Sequence, residues 1–155
     1  MHPWLHFKTI TRHKLLVMHY CFRAGMYKQG LLHDLSKYAP VEFFVGCRYY
    51  QGDRSPNNAQ REHEGYSSAW LHHKGRNKHH PEYWVDWALP QKAIIMPYKY
   101  AAEMLCDELA AGIAYNGKKW TNHTQLDYYM NKERKNLINP HIDKFLIATF
   151  TQVSE

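Results

Sequence analysis

In Leu31-Leu32-His33-Asp34-Leu35-Ser36-Lys37 an imidazole stands beside a carboxylate, directly after two leucines. Apolar neighbours point to partial burial, and a carboxylate removed from water needs hydrogen bonds or a compensating charge, supplied by His33 or by a metal cation. Adjacent helical residues project about 100° apart, so His33 and Asp34 reach one ion together only at a helix edge or a helix end. The plainer alternative is a solvent-facing turn in which Asp34 pairs with Lys37. A second concentration runs from His72 to His80, HHKGRNKHH, with four imidazoles and three cations in nine positions. For Lys74, Arg76 and Lys78 a solvated basic loop is the stronger reading. Glu103 and Asp107 lie four residues apart, where like charges on one helical face repel by about 0.2–0.5 kcal/mol. A divalent cation on Asp107, with Glu103 orienting a ligand or a water, would turn that repulsion into support. Exposure of both carboxylates is the alternative, but the flanking Ala101, Ala102, Leu105, Ala110 and Ala111 favour burial.

The stretch LLHDLSK resembles the LLHDxxK signature of the HD-domain superfamily of metal-dependent phosphohydrolases, an all-α fold named for its His-Asp pair. The resemblance spans about residues 9 to 115 and implies a His from an earlier helix, then the pair, then an Asp from a later helix. His13, in HKLLVM, stands where the first ligand belongs. The interval of twenty residues to His33 is short for the family, which makes His19 a rival. Asp107, in EMLCDELAA, stands at the last position. Histidine is the commonest metal ligand, and HD branches with extra histidines bind two metals. His73, His79 and His80 are therefore candidates for a second ion, with His72 as the alternative to His73. The H-x5-HH-x-E-Y-W layout is also similar to a small HD-like family of bacteria and their phages.

What the resemblance implies is hydrolysis of a nucleotide or another small phosphate ester by a metal-activated water. His13, His33, Asp34 and Asp107 would hold one divalent ion, drawn from Mn, Fe, Co, Ni, Zn or Mg. Asp34, Lys37 and Glu103 are the expected catalytic residues, and Lys37, Arg76 and Lys78 the expected substrate-binding cations. Two alternatives stand beside this: oxidation with dioxygen at two irons, and a metal-binding or sensing scaffold without turnover.

The elements that must position these residues are helical. The chain has 155 residues, 45% of them hydrophobic and 22% charged, enough to build a core in a single domain spanning 1–155. A net charge of +6 favours an anionic partner. No segment approaches the roughly 18–20 apolar residues of a membrane helix, so no membrane partner is expected. The N-terminus lacks an apolar stretch followed by a small-residue cleavage site, and the three cysteines have no C-x-x-C spacing; a reducing cytoplasm is the expected setting. Aromatic residues among Lys and Arg permit single-stranded nucleic-acid binding. No known nucleic-acid motif accompanies them, and Trp4, Phe7, Phe43, Phe44 and Phe145 read as core at their helical spacing, so that partner ranks low.

The periodicity predicts an all-α fold, which the resemblance implies is an HD-like bundle of about six to eight helices. The first runs from Pro3 to about Arg23 with Ile10, His13, Val17 and Cys21 on one stripe. A second covers about Tyr27 to Lys37, and a third opens at Pro40. After a loop over Gln51 to Asn58, a polar helix from Ala59 carries Trp70 and His73. The remaining helices cover about Tyr98 to Tyr115, Gln125 to Leu137, and Pro140 to Gln152, the last as a core element with His141 at the surface.

Overall fold

In a computed structural model the chain is described over residues 1–131 and 137–154. It is all-α, and the described residues contain no β-strand, only an antiparallel bridge between Val85 and Ala93. The helices are α1 (Pro3–Arg23), α2 (Tyr27–Leu32), α3 (Pro40–Tyr49), α4 (Pro56–Glu64), α5 (Ser68–Lys74), α6 (Tyr98–Asn116), α7 (Asn122–Met130) and α8 (Pro140–Ser154). Short 3-10 turns cover Leu35–Tyr38, Pro81–Trp84 and Gly117–Lys119. Proline opens α1, α3, α4 and α8, where its fixed φ suits the first turn and its missing N–H costs nothing.

Helix α6 is the spine. On one side it meets α1 through Val17, Cys21, Cys106 and Ala110; on the other, Met104, Leu105 and Leu109 pack with α7 and α8. Ile142, Leu146 and Phe150 recur every four residues and turn the core face of α8 inward, as its pattern predicts. The α1 stripe is buried as expected, with His6 added to it. All three cysteines are free and buried. Among the described residues no helix is long and apolar enough to cross a membrane.

Three expectations change. The second helix ends at Leu32, because His33 is extended (φ −51°, ψ 126°) and Asp34 is left-handed (φ 53°, ψ 27°). The polar helix expected from Ala59 is two helices that begin at Pro56 and break at Gly65, whose φ of 79° suits a residue without a side chain. Ser67 then restarts the chain by accepting a hydrogen bond from Trp70 N–H. Trp4, Phe7 and Phe44 are exposed rather than core, at 72%, 40% and 61%. Their helices present a single buried face, and these rings stand off it. The expected helix end between Met130 and Leu137 falls on residues 132–136, which lie outside the described residues.

Candidate metal centre

The break after α2 builds the centre of the site. Leu31 and Leu32 are half exposed, whereas His33 and Asp34 are 1% and 2% exposed. The chain reverses there and sends the ionisable pair inward in place of the leucines. A helix would splay the two side chains apart; the extended-then-left-handed step lets both face one point. Asp34 is the one described non-glycine residue with positive φ, and Asp tolerates that conformation better than most. Lys14 from α1 ties the turn down by donating to the carbonyls of Leu31 (2.8 Å) and His33 (2.9 Å), groups that a helix end leaves without partners.

Four elements bring further groups to this point. His13 comes from α1, His73 from α5, His79 and His80 from the turn after it, and Glu103 and Asp107 from α6. Their ligand atoms form three overlapping groups, each within 4.8 Å: His13, His33, Asp34 and Asp107; Asp34, His73, His79 and His80; and His33, His79 and Glu103. In the first group His13 Nε2 lies 2.8 Å from Asp107 Oδ1, and His33 Nε2 lies 3.3 Å from Asp34 Oδ2 and 3.5 Å from Asp107 Oδ1. In the second, Asp34 Oδ1 lies 3.3 Å from His73 Nε2 and 3.4 Å from His79 Nε2. Asp34 thus turns one oxygen to each group.

These atoms are close without being bonded. His13 Nε2, His33 Nε2, Asp34 Oδ1, His79 Nε2 and His80 Nε2 are buried with no aligned hydrogen-bond partner, and Asp34 Oδ2 faces the Lys37 ammonium. Burying that many unsatisfied polar atoms is costly. Donors held about 2.0–2.2 Å from one ion lie roughly 3.0–3.5 Å from each other, and the spacings above fall in or close to that range. The residues present fit a divalent cation, and the site could hold one or two; the mixed nitrogen and oxygen set does not select the element.

Carboxylates behind the imidazoles fix their orientation. His33 Nδ1 donates to Glu103 Oε1 at 3.0 Å, with His79 Nδ1 at 3.3 Å from the same oxygen. Glu42 from α3 accepts from His73 Nδ1 (2.8 Å) and His72 Nδ1 (2.6 Å). Each contact turns the Nε2 of His33, His79 or His73 toward the cluster, the usual role of a carboxylate behind a ligating histidine. Glu42 is the residue that sequence reasoning missed. Its signal, an acidic residue in the first turn of α3, is indistinguishable from ordinary helix-dipole pairing.

The field of the cluster is strong. Burial alone would raise the Asp34 carboxyl, but the charges of His33, Lys37 and His73 outweigh it and hold it well below the usual range. Asp107 is likewise held low, because the close approach and charge of His13 and His33 overcome burial. Burial works against protonation of His33, yet Asp34, Asp107 and Glu103 carry it well above its usual value. Burial, with the charges of His79 and His73, pushes His80 well down. Burial and the Lys37 charge also lower His13, against the pull of Asp107.

Of the residues singled out in the sequence, His13, His33, Asp34, His73, His79, His80, Glu103 and Asp107 come together. Lys37 joins them, its Nζ 2.6 Å from Asp34 Oδ2, so the ion pair of the plainer reading exists, with Asp34 buried beside the imidazoles and Lys37 partly exposed. Glu103 sits behind His33 and His79, where it orients them. His19 and His141 are exposed, and His72 meets Glu42 rather than the cluster. Arg76 and Lys78 are exposed and are not brought to the site; Lys78 Nζ lies over the Tyr83 ring at 5.5 Å. The cluster borders a cavity of about 460 Å³, walled by His13, His80, Asp107, Lys37, Tyr115 and Gln125 among others.

A family model described as a family of unknown function, DUF5662, matches residues 2–152. No curated protein and no solved structure matches the chain.

Proposed function

This chain belongs to the DUF5662 family, and from the geometry of the cluster we propose that it is a metal-dependent phosphohydrolase of HD type, acting on a small phosphate ester. The observation that carries the reading is the convergence of buried, unbonded nitrogen and carboxylate atoms at the wall of a cavity that also receives Lys37. When bound, a divalent cation supplies a water acidic enough to attack phosphorus near neutral pH. Asp34, with an oxygen toward each group, ties the two to one geometry. Glu103 and Glu42 keep the imidazoles turned inward. Lys37 is placed to offset negative charge growing on the phosphoryl oxygens. The water oxygen joins phosphorus, the ester P–O bond breaks, and the leaving oxygen departs with a proton as an alcohol beside inorganic phosphate. The cavity combines Ile10, Met104 and Tyr128 with Asn116, Thr124 and Gln125. That mixture suits an organic group with apolar faces and a hydrogen-bonding edge, such as a nucleoside.

Elemental analysis of the purified protein, His33→Ala and Asp107→Ala, beside a phosphoester panel, tests the reading. The expected result is shared loss of metal and of turnover from residues 74 positions apart in sequence. Wild-type metal content and stability in both variants would refute the site. Metal without turnover on any phosphoester would refute the hydrolase, and iron with oxygen consumption would replace it with a di-iron oxygenase.

A further inference from the structure

One buried imidazole belongs to none of the ligand groups. His6 lies two turns before His13 on the same face of α1, is 6% exposed, and has Nδ1 buried with no hydrogen-bond partner. Its ring packs against Phe43 and Tyr50, with centroids 5.5 and 6.0 Å away. Gly46 of α3 makes room for it: a Cβ at that position would sit 2.1 Å from His6 Nε2. An apolar side chain would fill this place without leaving a polar nitrogen unsatisfied, so packing alone does not account for a histidine there.

His6 lines a cavity of about 70 Å³ that is also walled by Lys37, Tyr50, Arg54, Ser55 and Asn57. This cavity shares Thr9, Ile10, Lys37, Ser55 and Tyr115 with the larger one, so the two are adjoining lobes. His73 borders the small lobe, and His13, His80 and Asp107 border the large one. The small lobe has space for a phosphate-sized group and none for a ring system. Its carboxylate, Glu42, is already bonded to His72 and His73, and the Arg54 guanidinium is bonded to Glu62. Burial and the nearby Lys37 charge push His6 down to about 4. At neutral pH the ring is therefore uncharged, with one N–H to donate, and Lys37, itself paired with Asp34, is the charge that acts on it.

We propose that the small lobe is a second phosphoryl subsite, in which His6 hydrogen-bonds an anionic group of the substrate other than the one cleaved, with Lys37, on the wall shared by the two lobes, lying between the two anionic groups. The substrate class is then a phosphate ester that carries a further phosphate. The assignment of the cleaved group rests on the phosphohydrolase reading; the subsite itself rests on His6 and its lobe.

Calorimetric titration of the metal-loaded protein with fructose 6-phosphate, fructose 1,6-bisphosphate and inorganic phosphate tests this, in the wild type and in His6→Gln. The bisphosphate should bind about tenfold or more tighter than the monophosphate, as expected for one added charge-assisted contact. In His6→Gln that preference should shrink to about twofold, with monophosphate affinity and metal content unchanged. In chelated wild-type protein, inorganic phosphate alone should shift the His6 imidazole nitrogen resonances, which separates a free-phosphate site from a substrate subsite and does not depend on bound metal or turnover. Equal affinity for the two sugar phosphates in the wild type, a preference that survives in His6→Gln, or unmoved His6 resonances would overturn the subsite. Absence of metal from the purified protein would instead overturn the hydrolase reading, while the resonance shift still decides the subsite.

Discussion

Replacing Gly46 with alanine should destabilise the protein even though alanine is the better helix former. Gly46 lies inside α3 with an ordinary helical backbone, so propensity alone would favour Gly46→Ala by about 0.8–1.0 kcal/mol. The new Cβ would lie 2.1 Å from His6 Nε2 and 2.4 Å from Cε1, against ordinary contacts of 3.4 Å or more. The ring would have to withdraw by about 1 Å in a close-packed interior, and Phe43 and Tyr50 stand beside it. Overpacking of this kind costs about 1–3 kcal/mol, which leaves Gly46→Ala roughly 0–2 kcal/mol less stable than wild type. In a His6→Ala background the obstruction is gone, and the same substitution should stabilise by about 1 kcal/mol. Urea unfolding of the four proteins in this cycle measures the coupling, expected at about 1–3 kcal/mol. A Gly46→Ala protein as stable in the wild-type background as in the His6→Ala background would refute the idea that this glycine exists to seat the imidazole.

Glu103→Gln, which removes the carboxylate behind His33 and His79, should weaken metal binding by about 10–100-fold, read by competition with a chromophoric chelator; unchanged affinity would deny it an orienting role. Chelation should lower the melting temperature and added divalent cation restore it, since a ligand at a hundredfold excess over its Kd contributes about 2.7 kcal/mol, or roughly 5–10 °C for a chain of this size. In the chelated protein Asp34 and Asp107 titrate below their unfolded value of 3.8, so their contribution is complete above that value and is lost as pH falls through the depressed folded values. Asp107→Asn should flatten this acid limb of the urea midpoint against pH, and an unchanged limb would show the charge pairing to be absent. Asp34→Gly should be more stable than Asp34→Ala by about 1 kcal/mol in thermal unfolding, because both lose the carboxylate and only alanine resists the left-handed turn.

Much of the helical framework was legible because its signals are local. Pro3, Pro40 and Pro140 mark helix starts, and the apolar spacing of α1, α6 and α8 places one face of each in the core. The errors fell where competing local preferences are close in energy. The segment from Tyr27 to Lys37 reads as one helix, yet it breaks at His33, because the turn lets Asp34 reach several buried partners at once. The exposure of Trp4, Phe7 and Phe44 has a similar origin: a helical pattern identifies an apolar residue but not whether a neighbouring helix arrives to cover it.

Residue type and order determined that the chain would be helical and, together with the resemblance to HD domains, that His13, His33, Asp34, His73, His79, His80 and Asp107 were the groups to watch. Tertiary structure alone decided that they converge, that Asp34 faces two groups, that Glu42 and Glu103 stand behind the imidazoles, and that Arg76 and Lys78 stay outside. It also decided the place of His6 against Gly46, residues forty positions apart. The reason is physical: helix formation depends on neighbours within a turn, whereas the direction of a side chain in space depends on how α1, α3, α5 and α6 pack, which no local pattern encodes.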